Sequence, residues 1–133
     1  MSSKTIMIVD DDPYLVIGLT ARLKANGYRV ISAQDAVAAI AVTLKERPDL
    51  LILDLGLPAG DGFTVLDRLK ELTSFQVPPT IMLSARNPDG NKSKALKAGA
   101  TAYFQKPPNT QDFLRAIREA LGEKLALSTF LAN

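Results

Sequence analysis

The chain has no cysteine, no histidine and no tryptophan. Without cysteine there is no disulfide frame, no thiolate nucleophile and no Cys/His zinc site. Without histidine there is no Ser-His-Asp triad, and no imidazole to carry a phosphoryl group. An excess of charge of one sign is lacking too: 16 basic and 14 acidic residues give a formal net charge of +2, neither an acidic tail nor a polycation. Long apolar runs are also missing. The longest, Ala36 to Val42, falls far short of the roughly 20 residues of a membrane helix. The run Ile6 to Val9 is too short for a secretory h-region. A soluble, cytoplasmic protein with no membrane partner is the expectation, and the lack of cysteine fits a reducing compartment. Chemistry is left to carboxylates, hydroxyls, lysines and arginines.

The chain is 133 residues long, about one domain's worth, and 47% of it is hydrophobic, enough to bury a core. Short apolar runs alternate with helical patterns along it. Residues 5–9, Thr-Ile-Met-Ile-Val, read as a strand buried on both faces. Asp12 can cap a following helix and Pro13 suits its first turn, with Leu15, Leu19 and Leu23 at helical spacing and Asn26-Gly27 at its end. Residues 28–32 read as a second strand, and Asp35 can cap an alanine-rich helix reaching about Arg47, with Pro48 after it. Residues 50–54 form a third strand, apolar until Asp54, and a Gly/Pro loop spans 55–62. A helix over 63–72 with Phe63, Leu66 and Leu69 on one face follows, then a strand over 79–83 and a weaker helix over 91–98. A strand over 101–104 and a helix over 110–121, striped by Leu114, Ile117 and Leu121, complete the pattern. Strands and helices in strict alternation predict an α/β fold, a parallel sheet covered on both faces. Residues 122–133 read as a tail, either extending the last helix or opening a linker.

In an open parallel sheet, ligands sit beyond the carboxyl ends of the strands. Asp10, Asp11 and Asp12 follow the first strand, Asp54 ends the third, Ser84 follows the fourth and Lys106 the fifth. Three ionised carboxylates brought close repel one another, and a divalent cation removes that conflict. An all-oxygen donor set suits Mg²⁺, or Mn²⁺, and not zinc. A carboxylate beside such an ion can attack phosphorus and form an acyl phosphate, with Lys106 and Ser84 stabilising the transferred oxygens. Each residue alone also has an ordinary role: Asp12 as a cap, Ser84 as a turn hydroxyl, Lys106 as a solvated cation. Asp54 is harder to dismiss, because an unpaired carboxylate after four apolar residues is a costly burial.

Four segments resemble the receiver domain of bacterial two-component response regulators over residues 4–121: Ile6 to Pro13, Asp54 to Gly62, Ile81 to Ala85, and Gly99 to Pro107. Their order and spacing together carry the resemblance. It implies a doubly wound, flavodoxin-like (βα)5 fold with strand order 2-1-3-4-5. It also implies that Asp54 is the phospho-acceptor, Asp11 a direct Mg²⁺ ligand, Asp10 the second metal-site carboxylate and the Gly56 backbone carbonyl a third ligand. Ser84 would be the switch hydroxyl, Lys106 its cationic partner, Tyr103 the aromatic switch, and Lys106-Pro107 a cis bond. The phosphoryl donor would be a histidine kinase or a histidine phosphotransfer protein, and the output a downstream effector protein or domain. Such a domain assists its own phosphorylation and dephosphorylation without being an enzyme in the usual sense. No nucleic-acid binding is expected of the domain itself.

Two departures from the family pattern stand out. Thr101 and Ala102 occupy positions that are often acidic in members dimerising through the fourth helix, fifth strand and fifth helix. Lys92, Lys94, Lys97, Arg115 and Arg118 give that region a basic character, which leaves dimerisation open and points to an acidic partner or a solvated face. Pro108 stands where an aromatic or apolar residue is usual. Gly56 and Arg86, two residues beyond the acceptor and the switch hydroxyl, offer no base for water, so slow loss of the phosphoryl group is expected. Two other classes remain: a scaffold that never takes phosphate, and a phosphohydrolase with an aspartyl-phosphate intermediate. The second needs an acid/base two residues past the nucleophile, where this chain has Gly56. A dinucleotide-binding domain is disfavoured, because Asp11-Asp12-Pro13 replaces the glycine-rich turn.

Overall fold

In the computed structural model, residues 3–72 and 76–123 are described. The tail expected at 122–133 therefore lies mostly outside the described residues. Ten elements alternate: β1 (Thr5–Val9), α1 (Pro13–Ala25), β2 (Arg29–Ala33), α2 (Ala36–Glu46), β3 (Leu50–Leu53), α3 (Gly62–Glu71), β4 (Thr80–Ser84), α4 (Pro88–Lys97), β5 (Ala102–Gln105) and α5 (Thr110–Ala120). The five strands are parallel in the order β2-β1-β3-β4-β5, which is the expected fold.

Successive side chains on a strand point to opposite faces, so a strand buried on both sides must be apolar throughout. That is how β1, β3 and β4 read. Met7, Val9, Leu51, Leu53 and Met82 face one core with α2, α3 and Ala95 of α4. Ile6, Ile8, Leu50, Ile52, Ile81 and Leu83 face the other, against α1 and α5. Each such side chain, fully buried, contributes roughly 1.5–3 kcal/mol.

Where boundaries differ from the sequence reading, hydrogen bonding explains the shift. Tyr28 does not open β2, because its N–H is taken by Leu23 O in the turn that ends α1, with Gly27 at φ 89°. Pro79 has no N–H for the ladder, and β4 begins one residue later, extending instead to Ser84 opposite Gln105. Helix α4 is broken near its start: Asp89 and Gly90 leave helical geometry, Gly90 at φ 76°, so a Pro-Asp-Gly turn precedes the regular helix.

Candidate functional site

Register places the chemistry. Val9 pairs with Leu53 and Leu53 with Met82, so Asp10 and Asp54 leave the sheet side by side. Their backbones are fixed by Asp10 N–H to Ala33 O and Asp54 N–H to Val9 O. Ser84 pairs with Gln105, and Lys106 N–H donates to Ser84 O, which sets the lysine at the same edge. The Lys106-Pro107 bond is cis.

One carboxylate oxygen from each of Asp10, Asp11 and Asp54 lies within 4.8 Å of the others. Asp10 and Asp54 are buried, Asp11 exposed. The Lys106 ammonium bridges the buried pair, 2.7 Å from Asp10 Oδ2 and 3.3 Å from Asp54 Oδ2. The other oxygen of Asp10 accepts from Asp12 N–H at 2.9 Å, while Asp12 caps α1 through Tyr14 N–H and Leu15 N–H. Burial pushes the Asp10 carboxyl above its ordinary 3.8, with the Asp54 charge adding to it, against the opposing pull of Lys106 and the Asp12 N–H. For Lys106, burial favours the neutral form, but the hydrogen bond to Asp10 and the Asp54 charge prevail and hold the ammonium above 10.5. The donor set of oxygens around an open, acidic rim fits a hard divalent cation, with Asp11 the carboxylate nearest solvent.

Two groups that sequence reasoning singled out meet on one residue it had weighed only for its side chain. Ser84 Oγ accepts from Arg86 N–H at 3.2 Å, and Tyr103 OH donates to Arg86 O at 2.8 Å. Tyr103 is thus buried and tethered, not a half-exposed strand tyrosine. Sequence reasoning also missed Gly62. A Cβ there would lie 2.5 Å from Asp54 O, so only glycine lets α3 start directly against the Asp54 backbone. Gly56 lies on the open side of Asp54, its N–H 3.4 Å from Oδ1, with nothing within 4 Å of a Cβ position.

The basic region around α4 and α5 is more divided than its composition suggests. Lys94 lies over the Phe63 ring at 4.4 Å, toward α3. Arg115 pairs with Asp112 on its own helix. Arg118 lies close enough to Tyr28 to act on its phenol, and its Nε is buried without a hydrogen-bond partner. Among the described residues, Lys92 and Lys97 form no ion pair.

The family model for the response regulator receiver domain matches residues 6–118. The transcriptional regulatory protein KdpE of Mycobacterium tuberculosis is 36% identical over 121 residues, covering 91% of this chain and 52% of the relative. The KDP operon regulatory protein KdpE of Escherichia coli is 35% identical over 116 residues, covering 87% and 50%. The chain thus spans about half the length of these relatives. Among solved structures, a CheY-like receiver domain protein of Methanospirillum hungatei superposes with a TM-score of 0.82 at 33% identity, covering 91% of this chain and 95% of that one. The BeF3-activated receiver domain of Klebsiella pneumoniae RstA gives 0.82 at 29%, covering 89% and 98%. No helix among the described residues is long and apolar enough to cross a membrane.

Proposed function

The chain belongs to the response regulator receiver domain family, and we propose that within it Asp54 accepts a phosphoryl group in a reaction requiring a divalent cation. The observation that carries this reading is Asp54 beside two further carboxylates, with the Lys106 ammonium bridging it to Asp10. Asp10 and Asp11, with the Gly56 backbone carbonyl, would hold Mg²⁺ or Mn²⁺. Such an ion relieves the repulsion among the carboxylates and neutralises phosphoryl oxygens.

An Asp54 carboxylate oxygen attacks phosphorus, the bond from phosphorus to the donor's leaving atom breaks, and an acyl phosphate results. Lys106 is already within reach of Asp54 and turns its ammonium to the incoming oxygens. Ser84 Oγ gives up Arg86 N–H and donates to the phosphoryl group instead. Because Tyr103 holds the carbonyl of that same Arg86, the β4–α4 connection and α4 respond together. Arg86 and Gly56 provide no general base, so the acyl phosphate is slow to hydrolyse without help.

Membership of the receiver family implies a histidine kinase or histidine phosphotransfer protein as the donor. The output is a protein contact, to a separate effector or to a further domain; the KdpE relatives carry the name transcriptional regulatory proteins. The test is intact-mass measurement after incubation with acetyl phosphate and Mg²⁺, with EDTA and Asp54→Ala controls. One phosphoryl adduct that needs the cation and vanishes in Asp54→Ala is expected. An adduct surviving in Asp54→Ala refutes the acceptor assignment, and none in the wild type favours a scaffold or a receiver dependent on its own kinase.

A further inference from the structure

Helix α1 and the connection from β5 to α5 leave between them a hollow of about 280 Å³. Its walls are Leu15 and Leu19 of α1, Leu83 of β4 and Phe113 of α5. Two small residues leave it open. Gly18 has nothing within 4 Å of where a Cβ would stand, and Pro108, without a long side chain, lines the facing side. The only charged residue lining it is Arg22. Its Nη1 donates to the Thr110 hydroxyl at 3.3 Å, and among the described residues no carboxylate pairs with it. An apolar hollow with one cation lacking a countercharge is complementary to an amphipathic anion and hostile to a cation.

We propose that this hollow is a binding site for a small carboxylate with an aromatic or branched aliphatic body. The body fills the space between α1 and α5, and the carboxylate pairs with Arg22. Volume limits the body to about ten non-hydrogen atoms, which puts the dissociation constant on the order of 1 mM. The site also touches the phosphoryl machinery indirectly. Pro107 and Leu83 line it, and they are the chain neighbours of Lys106 and Ser84. An occupant therefore presses on the residues that set the lysine and the hydroxyl.

The test is titration of the full chain, with leucine methyls labelled, by phenylacetate and by phenylacetamide, its neutral counterpart of the same shape. Phenylacetate is expected to shift the Leu15, Leu19 and Leu83 methyl signals at millimolar concentration. The amide should bind at least about 5-fold more weakly, the order of a charge-assisted contact. Arg22→Met should reduce phenylacetate to the level of the amide. Gly18→Leu, a substitution a helix favours, and Pro108→Phe should each fill the hollow and abolish the shifts. No shift at ~20 mM, the usual upper range for a fragment of this size, overturns the proposal. So does equal binding of acid and amide, or binding that survives in both filled variants. The titration repeated on Asp54→Ala should give the same result, so the proposal stands or falls apart from the acceptor assignment.

Discussion

The two edges of the sheet manage polar groups in opposite ways. At the amino edge, polar groups of complementary kind meet. Asp49 accepts from Thr5 N–H across 44 residues, and Tyr28 OH donates to Glu123 across 95. Burial and the Glu123 carboxylate push the Tyr28 phenol above its ordinary 10.0, so it stays protonated and keeps donating. At the carboxyl edge like charges are gathered instead, and one ammonium is shared between two buried carboxylates. The first arrangement stabilises the fold in itself. The second keeps like charges together in burial, which holds the Asp10 carboxyl above its ordinary range. Stability and function are thus separated along the strands, a few residues apart.

The sharpest way to break this contrast is Asp54→Ala, which should abolish the phosphoryl adduct while the protein stays folded, checked by intact mass and circular dichroism. Lys106→Met should slow phosphorylation by acetyl phosphate by about 100-fold, the scale of losing one preorganised charge, read as the initial rate of adduct formation. Ser84→Ala should slow it on the order of 10-fold, as expected for a hydrogen bond to a charged group. Tyr28→Phe tests the other edge: unfolding in urea should show a loss of about 1 kcal/mol, with the phosphorylation rate unchanged.

The smallest effect depends on pH. A carboxyl raised in the folded state binds its proton more tightly folded than unfolded, so its stabilising contribution is present at acid pH and lost as pH rises through its folded value. Metal-free wild type should therefore fall behind Asp10→Asn in Tm as pH rises through the folded value of Asp10. Magnesium should narrow the gap for wild type only. A gap independent of pH would mean that Asp10 is not held above its ordinary range.

Most of the fold was legible because its signals are local. Apolar runs such as Ile6 to Val9 and Leu50 to Leu53 are what a strand covered on both faces requires, and Asp12 and Asp35 cap α1 and α2 as their positions imply. The polar residues of the site were legible from where the strands end; the roles assigned to them rest on the resemblance and on the proposal above. What stayed hidden depends on distance and direction. Nothing in Tyr28 announces a partner at Glu123. Gly62 reads as a helix-start glycine until the Asp54 carbonyl is seen to occupy its Cβ space. Lys94 and Arg118 count equally as positive charge in a composition, yet one turns to Phe63 and the other toward Tyr28.

The missing tryptophan has one last consequence, joined to the tether on Tyr103. The three tyrosines dominate the near-ultraviolet signal of this chain, and they sit in three different surroundings. Tyr14 is 84% exposed, Tyr28 bonds to a carboxylate at the far edge, and only Tyr103 is bonded to the segment that Ser84 also holds. A change in that segment would reach the Tyr103 phenol directly, through its hydrogen bond to Arg86 O. A tyrosine difference spectrum would therefore report a rearrangement of that segment without a label.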